Sequence, residues 1–193
     1  MKVLLFCPKG FEMMEFSVFI DVMGWARNDF NHPIEVHTCG FSKTVYSTFS
    51  VPVIMDKVID DILADEYDAL AIPGGFESFG FYEEAYDKRF LELIREFDRM
   101  NKPIASVCVG AMPIAKSGIL SGRNATTYHL DGGIWQKRLF EFNVNVVDKR
   151  IATDGNVITS YCPETVPYVA FELLKMLIGE KDTIRVRIAM GYN

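Results

Sequence analysis

Short apolar runs bounded by turn residues recur along the chain, separated by stretches in which apolar residues return every three or four positions. Val3–Phe6, Tyr67–Ile72 and Ile104–Val107 are mainly apolar and β-capable, which predicts strands covered on both faces of a sheet. Ile34–His37, Ala125–Thr127, Val144–Val147, Arg150–Thr153 and Asn156–Ser160 read as further strands, with Asp154-Gly155 as a hairpin turn between the last two. Val45–Ile54 holds two β-rich runs, with Ser47-Thr48 at a hairpin tip. Helical spacing predicts helices over Met14–Ala26, Glu84–Met100, Val109 to a stop at Gly118, Leu130–Phe140, and a final one over Thr165–Ile178 that Gly179 ends. Asp56–Leu63 reads as a short acidic helix, and aromatic Phe76–Tyr82 as a cover over a loop.

This alternation predicts one α/β domain over residues 1–193, a flavodoxin-like sandwich with a parallel-dominated central sheet and helices on both faces. The strands Val3–Phe6, Tyr67–Ile72 and Ile104–Val107 are expected side by side at its centre. Such sheets bind ligands beyond the carboxyl ends of their strands, where strand order reverses. Three features share that address: the Gly10–Glu15 segment, Gly74-Gly75, and Cys108. Each has a plain structural reading, as acidic residues at a helix start, a tight turn and a packing cysteine. Their coincidence on one rim points to a site.

Ser106 and Gly110, both small, flank Cys108 two positions away on either side. A nucleophile on a sharp strand-to-helix turn needs small flanks, because they crowd each other. At a helix N-terminus the thiol is expected to titrate below a free one, and a carboxyl from Glu15 beside it to be pushed toward its protonated form. Glu15 can then bond the sulfur or move a substrate proton, while the N–H groups of Gly75 and Val109 form an oxyanion pocket. His129 is the only histidine downstream of Cys108 and the candidate for a helping imidazole. His32 and His37 flank the second strand and read as structural or surface residues.

Charge and cysteine usage remove several classes. A net charge of −6, with 20 scattered basic residues, argues against a nucleic-acid or anionic-membrane partner. No apolar stretch is long enough to span a bilayer, and the opening Met-Lys-Val-Leu-Leu-Phe-Cys-Pro reads as a strand without a cleavage pattern. The cytoplasm is the default expectation. Cys7, Cys39, Cys108 and Cys162 are widely spaced, with no CxxC and no clustered histidine, so neither a structural zinc nor a disulfide framework is expected.

Lys9-Gly10-Phe11-Glu12-Met13-Met14-Glu15, Asp68-Ala69-Leu70-Ala71-Ile72-Pro73-Gly74-Gly75 and Ala105-Ser106-Val107-Cys108-Val109-Gly110 together resemble the ThiJ/PfpI superfamily, whose fold is similar to that of class I glutamine amidotransferases. The resemblance continues through Ala125-Thr126-Thr127 and Thr159-Ser160-Tyr161-Cys162-Pro163. It implies an elbow cysteine at Cys108, a partner carboxyl at Glu15, an oxyanion site at Gly74, Gly75 and Val109, and Glu12, Tyr128 and Cys162 at the pocket rim. It also implies a small-molecule substrate, homodimers or higher homo-oligomers, and no metal or organic cofactor. Val109 stands where peptidase- and chaperone-like members often carry His. Glu15 and Val109 replace the Asp and Thr of isonitrile-hydratase-like members. Tyr128 takes the place of the glyoxalase-type His, with His129 one residue later. Cys162 and Glu164 replace the glycines around Pro163, adding a thiol and a negative charge that would discourage anionic substrates. A glutaminase's His-x-Glu pair is missing.

Three functions remain open. The first is a glyoxalase, deglycase or related hydrolase or lyase acting on reactive carbonyls. The second is a stress-protective redox sensor working through Cys108 oxidation. The third is a binding module that keeps the elbow without turnover. A PfpI-like peptidase ranks below these, for want of a His after Cys108.

Overall fold

Alternate residues of the central strands go to opposite cores, as the two-residue period of a strand requires. Val3, Leu5, Ala69, Ala71 and Ala105 enter one apolar cluster; Leu4, Phe6, Leu70, Ile72 and Ile104 enter another. In the computed structural model, which describes residues 1–192, a seven-stranded sheet separates the two. The expected span 1–193 therefore ends one residue outside the described part.

The strands are β1 (Lys2–Phe6), β2 (Glu35–Gly40), β3 (Thr44–Tyr46), β4 (Pro52–Ile54), β5 (Lys57–Val58), β6 (Ala69–Ile72), β7 (Ile104–Ser106), β8 (Asn124–Ala125), β9 (Asn145–Val146), β10 (Ile151–Asp154) and β11 (Val157–Ser160). The helices are α1 (Met13–Phe30), α2 (Phe81–Ala85), α3 (Lys88–Arg99), α4 (Ala111–Ser117), α5 (Ile134–Phe140), α6 (Val166–Ile178) and α7 (Glu180–Ala189). The main sheet runs β10-β11-β7-β6-β1-β2-β5, parallel throughout except for the β10–β11 hairpin. Strands β3 and β4 form a separate hairpin, and β8 and β9 a short parallel pair.

Helices α1 and α6 bury Phe16, Phe19, Met23, Val166, Val169 and Leu173 on one face of the sheet. Helix α3 buries Phe90, Leu93, Ile94 and Phe97 on the other. Phe90 stacks on Phe6 of β1, with ring centroids 3.9 Å apart. Each such side chain contributes roughly 1.5–3 kcal/mol by leaving water. The expected fold class holds, and β1, β6 and β7 are neighbours as expected. Their carboxyl ends lie on one rim, at the reversal of strand order between β1 and β6.

Several boundaries depart from the apolar pattern. Glu84–Met100 is two helices: Asp87 breaks the path and caps α3, its carboxylate accepting from the Arg89 N–H at 2.9 Å. Asp56–Leu63 is not helical but divides into β5 and one 3-10 turn, Ile59–Asp61, because Asp56 is drawn to the Thr38 N–H and hydroxyl of β2. The β3–β4 connection is wider than Ser47-Thr48, since Tyr46 pairs with Pro52. Asp154 still pairs with Val157, so the last hairpin turns at Gly155-Asn156. Gly132 and Gly133, both left-handed, delay the helix expected from Leu130 until Ile134. Helix α6 is not the last: α7 follows Gly179 and buries Thr183 and Val186.

Candidate active site

Beyond β7 the chain reaches Cys108 through Val107 and turns sharply. Cys108 has a φ of 57°, a left-handed conformation uncommon for a residue with a side chain. The turn is a single 3-10 loop, Cys108–Gly110, that runs into α4. Gly110 makes the turn possible. A Cβ there would lie 2.8 Å from the Ile72 carbonyl oxygen and 3.1 Å from that of Pro73. Thr127 secures the loop from outside, its hydroxyl donating to the Cys108 carbonyl at 2.8 Å.

The turn after β6 closes on the same point. A Cβ on Gly74 would sit 2.9 Å from the Cys108 Cβ and 3.0 Å from Glu15 Oε2, so only glycine fits. The Gly74 N–H donates to Glu15 Oε2 at 2.5 Å. Backbone bonds from Glu12 N–H to the Gly74 carbonyl (2.8 Å) and from Phe76 N–H to the Gly10 carbonyl (3.1 Å) join the loops after β1 and β6. Phe11 and Gly75 face each other in that short antiparallel bridge. They form its non-hydrogen-bonded pair, which turns the Gly75 N–H away from the partner loop.

Glu15, in the first turn of α1, is fully buried. Burial pushes its carboxyl up to about 8, with the Gly74 N–H pulling down, the Glu12 charge pushing up, and the Cys108 sulfur pulling down. Cys108 keeps partial exposure. Burial, then the Glu15 charge, push its thiol well up, against the pull of the Val109 N–H. The expectation of a thiol below the free value is therefore corrected. A 3-10 loop leading into a short helix offers too weak a field to outweigh desolvation and a neighbouring carboxylate. The expected rise of Glu15 is present, with burial as its larger cause. The two groups titrate as a pair.

A cleft of about 680 Å³ opens over them. Glu12, Glu15, Gly75, Cys108, Val109 and Tyr128 all line it, so the structure brings these expected residues together. Gly74 lies just behind, holding Glu15. Cys162 is buried beside Pro163, which lines the cleft, and is not itself a lining residue. His129 is not brought to the cleft with them: it lies outside the lining, with its ring stacked on Tyr161 at 3.9 Å. Tyr128 faces the cleft in its place. Sequence reasoning missed Phe76, Glu77, Asp131 and Trp135, which line the mouth. The aromatic run after Gly75 was the available signal for Phe76; Asp131 and Trp135 arrive through the β8–α5 connection and had none. Among the described residues no cluster of metal-ligating side chains occurs, and no helix is long and apolar enough to cross a membrane.

A doubly wound parallel sheet that presents a cysteine on a strained strand-to-helix turn, beside a buried carboxyl, defines a flavodoxin-like protein with a nucleophile elbow. The chain belongs to the DJ-1/PfpI family, whose model matches residues 1–176. Among similar proteins is an uncharacterized one from Methanocaldococcus jannaschii, 30% identical over 125 residues, covering 65% of this chain and only 59% of that protein. The deglycase PfpI of Pyrococcus furiosus is 30% identical over 146 residues, 74% of this chain and 82% of that one. The protein dj-1beta of Drosophila melanogaster is 26% identical over 196 residues, 100% of this chain and 98% of that one. The crystal structure of Drosophila DJ-1beta matches with a TM-score of 0.85 at 25% identity, covering 100% of this chain and 98% of the other.

Proposed function

We propose that this protein is a cysteine-dependent enzyme acting on small reactive carbonyl compounds, of glyoxalase or deglycase type. The observation that carries the reading is Glu15: a fully buried carboxyl, fixed by the Gly74 N–H and set against the Cys108 sulfur at the floor of an open cleft. The name of the Pyrococcus furiosus relative supports it.

The Cys108 thiolate forms a C–S bond to an aldehyde carbon as the C=O pair moves to oxygen. The N–H groups of Gly75 and Val109 hold that oxygen, and Glu15 supplies the proton that neutralises it. On a 2-oxoaldehyde adduct, the Glu15 carboxylate then takes the hydrogen of the same carbon as a proton and delivers it to the adjacent carbonyl carbon. The hydroxyl proton of the first carbon passes to the oxygen of the second, the C–O bond of the first becomes C=O, and a thioester of a 2-hydroxy acid results. Water cleaves it, releasing a 2-hydroxy acid and the Cys108 thiol. One carbon is oxidised and its neighbour reduced, so no external redox partner enters. His129 has no part in these steps. Self-association belongs to the same reading. It is supported by the cluster of Phe49, Phe76 and Phe79 beside the cleft, in which Phe49 is 71% exposed, and light scattering tests it.

Purified protein incubated with methylglyoxal, and in parallel with isonitrile, ester and peptide substrates, tests the proposal. Lactate formation followed by proton NMR is expected; turnover of another class alone would refute it. A protonated Glu15 near neutral pH also favours a second reading. Hydrogen peroxide would oxidise the Cys108 thiolate to a sulfenate with loss of water, and a second equivalent would give a sulfinate that accepts the Glu15 proton. Intact mass after peroxide treatment, with and without Glu15→Gln, tests that reading. A sulfinate equally stable in both would refute it.

A further inference from the structure

We propose that the cleft selects substrates carrying a positive charge beside the reacting carbonyl and turns away those carrying a carboxylate. This rests on Cys108 being the reactive group at the cleft floor. Four carboxyl side chains line the cleft, those of Glu12, Glu15, Glu77 and Asp131, and no Lys, Arg or His lines it. The acidity is not where the sequence placed it. Glu164 is bound to Arg150 at 2.6 Å and lies outside the lining.

The lining carboxylates are largely uncompensated. Among the described residues, Glu12 and Asp131 have no ion-pair partner, and Glu77 meets Arg138 only at 3.9 Å. At the floor, Glu15 Oε1 is buried with no hydrogen-bond partner, so a fully buried carboxyl keeps a free acceptor. Phe76, Val109, Tyr128, Trp135 and Pro163 make most of the remaining wall, and such largely apolar, low-dielectric surface leaves the field of the acids poorly screened. Arg138, outside the lining, already makes a cation–π contact with one lining ring: its central carbon lies 4.5 Å from the Trp135 ring centroid. An ammonium or guanidinium group is therefore attracted at the mouth, whereas a carboxylate meets like charge there from Glu12, Glu77 and Asp131.

Cys108 itself reports this field without any turnover. Three methanethiosulfonates would be used, carrying a trimethylammonium, a sulfonate or a methyl group. The thiolate attacks the sulfenyl sulfur and expels methanesulfinate. Labelling of the Cys108 peptide would be timed by mass spectrometry at pH 9 and normalised to a small free thiol. The cationic reagent is expected to outpace the anionic one by on the order of tenfold to a hundredfold. Glu77→Gln combined with Asp131→Asn should cut that ratio at least about threefold, and so should raising salt from 0.05 to about 0.5 M, which shortens the screening length. A wild-type ratio within about twofold of the free thiol's, or one favouring sulfonate, would overturn the proposal, because steering of this kind reaches tenfold or more. So would a Cys108 inert to all three reagents, or a ratio that neither the double variant nor salt changes. Failure to turn over methylglyoxal, with the charge preference intact, would end the proposed function and leave this selectivity standing.

Discussion

Cys7 and Cys108 both lie at the carboxyl end of a central strand, with only β6 between their strands, and they are opposite kinds of thiol. Cys7 continues the path of β1: its N–H bonds the Cys39 carbonyl at 2.8 Å, and its sulfur faces the Leu5 carbonyl at 3.6 Å inside the core. Cys108 leaves the sheet on a left-handed turn, faces a cleft and meets the Glu15 carboxyl. Burial pushes both thiols well above their ordinary value, so charge state does not distinguish them. Access and a proton-bearing partner do. A position at a strand's end is an address; the turn decides whether the side chain is packed or presented.

The sharpest break in this comparison is to remove each sulfur. Cys108→Ser should bring carbonyl turnover to background, whereas Cys7→Ser should leave the specific activity of folded protein within about threefold and lower its thermal midpoint, since a hydroxyl in an apolar core costs about 1–3 kcal/mol. Equal loss of activity in the two would erase the distinction. Glu15→Gln is expected to reduce turnover by about 10²- to 10⁴-fold, the usual cost of losing a proton-transfer group.

The same substitution carries a pH signature. Glu15 ordinarily titrates at 4.5 and is raised in the fold to about 8, so the folded state holds a proton that the unfolded chain releases. Wild-type stability therefore falls as pH rises from about 4.5 to about 8 and levels off above, whereas the Gln variant lacks that fall. Urea midpoints across this range check the sign. The alkylation midpoint of Cys108 should also move to lower pH in Glu15→Gln, because a raising charge is gone.

Gly74→Ala comes next, with about a ten- to hundredfold loss and about 1–3 kcal/mol of destabilisation, the scale of an overpacked contact. The mismatch should appear first as a weakened bond from the residue-74 N–H to Glu15, visible as an upfield shift of that amide proton relative to wild type in NMR spectra. His129→Ala should do least, changing turnover by less than about threefold, because its ring lies outside the cleft and a residue that is no proton carrier forgoes the usual hundredfold. A loss matching that of Cys108→Ser would restore a Cys-His dyad.

The central strands and the three rim loops were legible because their signals are local: unbroken apolar runs, a Gly-Gly after one, a small-Cys-small pattern after another. Parallel neighbours then follow from chirality and topology rather than from any distant residue. The break at Asp87 was legible too, as an acidic N-cap, but the apolar period of Glu84–Met100 ran across it. Helix α7 carries a mostly charged surface that hid its buried Thr183 and Val186. The position of His129 was not legible, since it depends on Tyr161, which reaches the ring from the far side of the sequence. The titration of Cys108 was misjudged for a similar reason: a helix start can be read from a short segment, whereas desolvation depends on everything that folds over it.

The contact of Gly110 with the Ile72 and Pro73 carbonyls has a consequence for how such a protein can evolve. It places the thiol by main chain against main chain, with no core side chain serving as the spacer. Residues filling the two cores can therefore be exchanged for others of similar bulk with little effect on that contact, provided glycine stays at positions 74 and 110. The reacting centre is insulated from drift in the body that carries it, and a lineage can rewrite most of its interior while the elbow keeps its shape.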